Sequence, residues 1–216
     1  MALPCVHNFL SMTTPSTPPL VQGARAYGLT GGVGCGKSTA SRWLAQQGWR
    51  VIDTDQIARE VLQPDQEGYK KVVDAFGPSI LNKDQSIDRS RLGGIVFSDE
   101  GSRNRLNSIL HPLIRAQWHS RLQQHRHDSP GRPAVVDIPL LFETGVQAAF
   151  DRTVCIGCSA QTQHARLLAR GWDSMEIERR RRAQWPLEDK IKHSDLVIWN
   201  DGSEDLLQRQ LARLPA

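Results

Sequence analysis

The feature that most constrains the fold of this 216-residue chain is a glycine-rich segment near its N-terminal end. Residues 31–38 read GGVGCGKS, which fits the pattern G-x-x-x-x-G-K-[ST]. The segment lies between a predicted strand at 24–29 and a predicted helix at 37–47 that stops at Gly48. This context predicts a loop that binds phosphate, because glycines allow a tight wrap and the helix N-terminus carries partial positive charge.

The members of this loop have separate expected roles. We expect Lys37 to neutralise the β and γ phosphates of a nucleotide, and Ser38 to offer its hydroxyl to a bridging Mg²⁺. The other residues contribute mainly their backbone. The predicted nucleotide contacts in the loop are Gly32, Val33, Gly34, Cys35, Gly36, Lys37, Ser38 and Thr39.

From residue 24 onward, short apolar runs alternate with helical patterns, which is typical of a parallel sheet covered by helices. The fold class is therefore predicted as α/β. After 24–29, the further strands are predicted at 49–53, 133–138, 152–157 and 195–199. Residues 65–130 are predicted as a helical insertion, with a break at His111-Pro112 because proline suits the first turn of a new helix. Two more helices are predicted at about 160–170 and 173–184, the second with Asp173 and Glu176 at capping-box spacing.

Three aspartates fall at the carboxyl ends of predicted strands: Asp53, Asp55 and Asp137. In open α/β sheets these ends form the ligand crevice. A carboxylate there can accept a proton from an acceptor hydroxyl or hold Mg²⁺ through water. Asp55 could equally cap the helix predicted at 56–62, which Pro64 would terminate, and the residues alone leave both roles open.

Charge gives little further discrimination. Lys plus Arg number 27 against 23 for Asp plus Glu, a net charge of +4, which suits phosphate-bearing small molecules and nucleic acid alike. Residues 166–192 are locally basic and could close over an anion, although a solvated helix face explains most of these arginines individually.

Cysteine content and hydropathy bear on location. Four cysteines are too few for a disulfide framework in a chain this long and predict a reducing cytoplasm. Cys155 and Cys158 lie three apart on a predicted strand, so their side chains point to opposite faces and are not expected to share a metal. No apolar run approaches the ~20 residues that cross a bilayer, which predicts a protein without membrane association. Residues 1–23 are predicted to be a disordered leader.

Several motifs occur in a specific order after residue 24. They are GLTGGVGCGKST at 28–39, VIDTDQIAR at 51–59, LHPLI at 110–114, VVDIPLLFE at 135–143, Gln163 with Arg166 and Arg170, Arg180 with Gln184, and Asp195 to Gly202. Together they resemble the dephospho-CoA kinase family, whose members phosphorylate the ribose 3′-hydroxyl of dephospho-coenzyme A with ATP. The resemblance covers nearly all of the chain after residue 24.

The resemblance implies a P-loop NTPase of the nucleoside-monophosphate-kinase-like type, with five parallel strands and helices on both faces. Its core would comprise 24–55, 131–159 and 191–216, with a helical coenzyme A-substrate domain at 56–130 and a small lid at 160–190. Expected ligands are ATP, Mg²⁺ and dephospho-coenzyme A, without nucleic acid, in a monomer or weak homo-oligomer.

The resemblance also assigns roles to particular residues. Asp55 matches the catalytic base, which favours that role over the cap, and Arg166 and Arg170 match lid arginines. Asn200 and Gly202 match the loop beside adenine, while Ser38 and Asp137 are the predicted metal contacts. His111 matches a motif position, for which we expect only packing beside the helix break. Cys35 in the loop and Ser194 before the last strand depart from the family pattern without opposing it.

Other functions were compared with this prediction. A regulatory GTPase needs N-K-x-D, and residues 82–85 read NKDQ, with Gln where the aspartate belongs. A nucleic-acid-dependent ATPase lacks a second module in the sequence. Another small-metabolite kinase of the same fold remains the main alternative, because the loop and the base would be shared.

Overall fold

Five parallel strands form the centre of the structure, a computed structural model that describes residues 25–215. The strand order is β2-β3-β1-β4-β5. The predicted leader, residues 1–23, lies outside the described residues. The strands are β1 (Ala26–Gly31), β2 (Arg50–Asp53), β3 (Ala134–Asp137), β4 (Arg152–Gly157) and β5 (Leu196–Trp199).

Helices cover both faces of this sheet, as the prediction of an α/β fold requires. The helices in residues 25–215 are α1 (Lys37–Gln46), α2 (Thr54–Glu60), α3 (Glu67–Phe76), α4 (Arg89–Ser98), α5 (Glu100–Asp128), α6 (Ala160–Leu168), α7 (Ser174–Arg182), α8 (Leu187–His193) and α9 (Glu204–Leu211). Short 3₁₀ turns occupy Pro78–Ile80 and Gln147–Ala149.

The three central strands, β1, β3 and β4, are buried on both sides, so their alternate side chains enter different cores. On one face, Ala134 and Val136 pack with α2, α4 and α5 through residues such as Ile57 and Trp118. On the other face, Val135 lies in a second core with Leu44 of α1 and residues of α9. Each buried Leu or Ile side chain contributes roughly 1.5–3 kcal/mol, so both layers of helices are held chiefly by apolar burial.

Helix α5 corrects the prediction of a helix break at His111-Pro112, because it runs unbroken through Pro112. Proline has no N–H for the carbonyl four residues earlier, a loss that costs about 3 kcal/mol in a helix interior. The helix nevertheless buries Leu110, Trp118 and Leu122 along its length, and Trp118 stacks on Phe150 at 5.3 Å between ring centroids. This packing on both sides of Pro112 offsets the missing hydrogen bond.

The strand order places the predicted site residues side by side. β3 lies between β1 and β2, with Asp137 opposite both Leu29 of β1 and Asp53 of β2. The loop after β1 and the aspartates after β2 and β3 therefore share one edge of the sheet, as expected where strand order reverses. None of the helices within residues 25–215 combines the length and the apolar character that crossing a membrane requires.

Candidate active site

The glycine-rich loop connects β1 to α1, and two of its glycines occupy positions that other residues would strain. Gly34 has φ 78° and Gly36 has φ 100°, both in the left-handed region. A Cβ on Gly36 would lie 2.2 Å from Nδ2 of Asn200, and one on Gly34 would lie 2.9 Å from the side chain of Leu167. The close packing of the loop against its surroundings therefore requires glycine at both positions.

The side-chain amides of two buried residues donate hydrogen bonds to carbonyl groups of this loop. Gln163 of α6 donates a hydrogen bond from Nε2 to the carbonyl of Val33 at 2.6 Å, and Asn200 donates from Nδ2 to the carbonyl of Cys35 at 2.9 Å. Both side chains are buried. These bonds occupy two loop carbonyls and so fix the loop in one conformation.

Cys35 belongs to the loop and is fully buried. Its Sγ accepts a hydrogen bond from Cys158, with 3.4 Å between the sulfurs, and this bond holds the pKa of Cys35 below its ordinary value. Burial instead raises the pKa of Cys155 to about 11. Cys158, and not Cys155, therefore hydrogen-bonds to the loop through Cys35.

Helix α2 is capped by Asp53, which corrects the alternative that Asp55 caps it. Asp53 Oδ1 accepts from the backbone N–H groups of Asp55 and Gln56, at 2.8 and 3.1 Å. The extended backbone of Asp53, the last residue of β2, suits an N-cap, so the helix starts directly after the strand. Asp55 lies in the first turn of α2, and its side chain does not cap the helix.

Asp55 and Asp137 have distinct environments. Asp55 lines the cleft, and its pKa is raised by desolvation and by the negative charge of Asp53, against the opposing charge of Lys37. Asp137 is buried, which raises its pKa, and its Oδ2 accepts from Ser41 Oγ at 3.0 Å. Its other oxygen, Oδ1, is buried without a hydrogen-bond partner in the described part of the chain.

A single cleft of about 840 Å³ joins the loop to the helical insertion. Many of the predicted site residues line it, namely Gly32, Val33, Gly34, Gly36, Lys37, Ser38, Thr39, Asp55 and Arg170. Its lining also includes apolar residues of α5 and of the segment after β3, namely Leu110, Ile114, Trp118, Ile138, Leu140 and Val146.

Other predicted residues do not line this cleft. Asn200 contacts the loop through the carbonyl of Cys35, Cys35 itself is fully buried within the loop, and Gly202 packs near Leu206. Asp137, the last residue of β3, is buried. Arg166 has its Nη1 buried without a partner among the described residues, and a Cβ on Gly36 would lie 4.0 Å from that atom. Arg166 is therefore directed at the loop from α6.

Three residues of α5 line the cleft without a site role predicted from the sequence. His111, Arg115 and Trp118 lie one turn apart on one face of α5, and burial lowers the pKa of His111. In a continuous α5, spacings of four and three residues predict that these side chains share one face of the helix.

The basic segment after α6 forms another wall of the cleft. The guanidinium of Arg180 lies over the ring of Trp172 at 4.2 Å and over Phe97 of α4 at 6.0 Å, and all three residues line the cleft. Arg179 also lies over Phe97, at 4.4 Å. Cation–π contacts thus join α7 to the helical insertion.

Comparison with known proteins places this site in a family. The family described as "Dephospho-CoA kinase" matches residues 25–205. The dephospho-CoA kinase of Geobacillus kaustophilus is 41% identical over 185 residues, which are 85% of this chain and 92% of that protein. That of Bdellovibrio bacteriovorus is 40% identical over 187 residues, 87% of this chain and 92% of that protein.

Solved structures agree with the sequence relatives. The TT1252 protein of Thermus thermophilus superposes with a TM-score of 0.74 at 31% identity, covering 90% of this chain and all 100% of that one. The dephospho-CoA kinase of Campylobacter jejuni gives a TM-score of 0.60 at 26% identity, covering 88% of this chain and 95% of that one. The P-loop, the aspartate edge and these relatives lead to one conclusion: the chain belongs to the dephospho-CoA kinase family.

Proposed function

We propose that this chain transfers the γ-phosphoryl group of ATP to the ribose 3′-hydroxyl of dephospho-coenzyme A, the last step of coenzyme A biosynthesis. The observation that carries the proposal is the single cleft lined by Lys37 of the phosphate-binding loop, by Asp55 and by the apolar wall of α5. Donor, base and acceptor surface thus meet in one volume. An acceptor with a long, partly apolar arm fits such a wall better than a bare nucleotide does.

ATP would bind with its phosphates in the glycine-rich loop. Lys37 and the backbone N–H groups at the start of α1 would stabilise the charge that spreads over the transferring phosphoryl group. Asn200 and Gly202 would lie toward the adenine, and the hydrogen bond of Asn200 to Cys35 would couple that end of the site to the loop.

Asp55 would act as the general base. It would accept the proton of the 3′-hydroxyl as that oxygen attacks the γ-phosphorus and the bond to the ADP leaving group breaks. A pKa raised above the ordinary aspartate value favours this role, since a stronger base receives the proton more readily.

The site also fits Mg²⁺. The hydroxyl of Ser38 lines the cleft, and Asp137 offers a buried oxygen without a partner, both of the hard oxygen type that Mg²⁺ prefers. Ser38 would hold the ion directly and Asp137 through water. When bound, the ion would neutralise charge between the β and γ phosphates.

Arg166 and Arg170, both in the predicted lid, would neutralise further negative charge on the phosphates. Arg166 has a buried, unpartnered Nη1 near the loop, and Arg170 lines the cleft. The boundaries of lid and substrate domain, the cytoplasmic location and the monomeric or weakly oligomeric state stay predictions.

Phosphate transfer to a panel of acceptors tests the proposal. Dephospho-coenzyme A should exceed adenosine, AMP and shikimate by roughly a hundredfold or more in kcat/KM, because binding energy from the distant arm would orient the hydroxyl. The new phosphate should be on the ribose 3′ oxygen. Comparable rates with AMP or shikimate would instead support another small-metabolite kinase, and salt-dependent DNA binding would support a nucleic-acid-dependent ATPase.

A further inference from the structure

A fully buried lysine lies outside the site described above. Lys190 of α8 has 0% of its side chain exposed, and its Nζ contacts Glu143 Oε1 at 2.8 Å and donates to the carbonyl of Pro139 at 2.6 Å. An ammonium group is tolerated in such a place only when it is paired. Helix α8 is thereby attached to the segment that follows β3.

Glu143 makes a second contact with the same oxygen. Oε1 accepts a hydrogen bond from the backbone N–H of Trp185 at 2.8 Å. Trp185 lies between α7 and α8, and its ring stacks on Phe142 with 6.1 Å between centroids. Glu143 Oε1 therefore connects the segment after β3 to the chain between α7 and α8.

Residues that precede both ends of this connection line the cleft. Pro139 and Leu140, just before Glu143, form part of its wall, and Arg180 and Gln184, just before Trp185, form another part. The position of the basic wall thus depends on where Glu143 holds the chain.

The pair is poorly suited to stabilise the fold alone. Glu143 Oε2 is buried and has no partner among the described residues. Burying an ion pair with an unsatisfied oxygen costs desolvation energy that an apolar pair of similar volume would avoid. A role in holding Trp185 accounts for a charged pair at this place better than stability does.

We propose that Glu143 is a positioning residue for phosphoryl transfer, which neutralises Lys190 and holds the N–H of Trp185, so that Arg180 and Gln184 are fixed at the cleft wall. The inference rests on the proposed kinase function, since the arginine wall matters only if it faces phosphates. Neither Glu143 nor Lys190 lines the cleft.

Two double variants separate positioning from simple charge pairing. E143L/K190M replaces the ion pair by apolar groups and removes the acceptor for Trp185, whereas E143Q/K190M also removes both charges but keeps an acceptor oxygen. Both should fold, because replacing a buried ion pair as a whole is often neutral or stabilising. Melting temperature and the stoichiometry of ATP binding, expected at one per chain, establish the folded fraction.

The expected result is a difference between these folded variants. E143L/K190M should lose about tenfold or more in kcat with the Kd for ATP within about twofold of wild type, as for contacts made mainly in the closed transition state. E143Q/K190M should stay within about threefold of the wild-type kcat. Equal kcat values for the two double variants would overturn the proposal.

Two further measurements keep the test decisive. If E143L/K190M binds less than one ATP per chain, Glu143→Asp takes its place: it keeps a negative charge in the buried site, but its shorter side chain withdraws the shared oxygen from both Lys190 and the N–H of Trp185, and a wild-type kcat would refute the proposal. In a cycle with Arg180→Ala, the loss caused by E143L/K190M should shrink, because both act through the same wall; additive losses would argue against it. Failure of wild type to phosphorylate dephospho-coenzyme A would instead refute the proposed function.

Discussion

The carboxylate of Asp53 accepts a hydrogen bond from the backbone N–H of Asp55 at 2.8 Å, so the residue that caps α2 differs from the one that lines the cleft. This division leaves the side chain of Asp55 available for proton transfer. It also places the negative charge of Asp53 where it raises the pKa of Asp55. The two aspartates can therefore be tested separately.

Asp55→Asn should abolish most catalysis without harming the fold. Loss of a general base lowers kcat by about a hundredfold to ten-thousandfold. Because the folded-state pKa of Asp55 is raised, ionisation of this group destabilises the folded chain, and the deficit appears as pH rises from the unfolded-state pKa through the folded-state pKa. The variant should therefore melt at the same or a higher temperature than wild type at pH 7.

Asp53 provides the matched control for this experiment. Asp53→Asn keeps a capping oxygen and should preserve stability, whereas Asp53→Ala should lose about 1 kcal/mol through the missing cap. Thermal unfolding measures both. A variant Asp55→Asn with normal kcat, beside an inactive but folded Asp53→Asn, would move the base to Asp53.

The pH profile gives an independent check on the base. We expect kcat/KM to fall at acid pH as Asp55 is protonated, with the midpoint above the ordinary aspartate value of 3.8. The residual activity of Asp55→Asn should lack this limb. An unchanged acid limb in that variant would show that a different group controls it.

Lys37→Ala should remove the charge that stabilises the transferring phosphoryl group. We expect kcat/KM to fall at least about a hundredfold, measured with saturating Mg²⁺. Lys192→Ala is the control, because this lysine of α8 has 72% of its side chain exposed and, within residues 25–215, pairs only with Asp189 across one turn. Wild-type turnover in Lys37→Ala would contradict the assignment of the loop.

Arg170→Ala should affect kcat more than ATP affinity. A lid contact made mainly in the closed transition state adds little to ground-state binding, so we expect about a tenfold or greater loss in kcat with a smaller change in KM for ATP. The control is Arg182→Ala in α7, whose side chain is 79% exposed and pairs with Glu178. A raised KM with intact kcat would place Arg170 in uniform ground-state binding.

Local patterns predicted the parts of this protein that depend on neighbours in the chain. The glycine loop, the five strands and the cap of α7 by Asp173 follow from spacing, because loops, pleated strands and N-caps are decided within a few residues. The same rules left Asp55 open as a possible cap of α2, whereas Asp53 caps it. They also predicted a helix break at Pro112, where tertiary packing of α5 prevails over the local signal.

By itself the sequence determined the α/β class, the loop and the aspartates at the strand ends, since these follow from local chemistry and from the order of elements. Only the tertiary structure decided that Asn200 supports the loop carbonyl of Cys35, that Asp137 keeps an unpartnered oxygen, and that Glu143 joins Lys190 to Trp185. Such contacts join residues far apart in the chain, and no local spacing encodes them. They arise because the fold brings distant residues together, and most buried polar groups pair with a partner that it places near them.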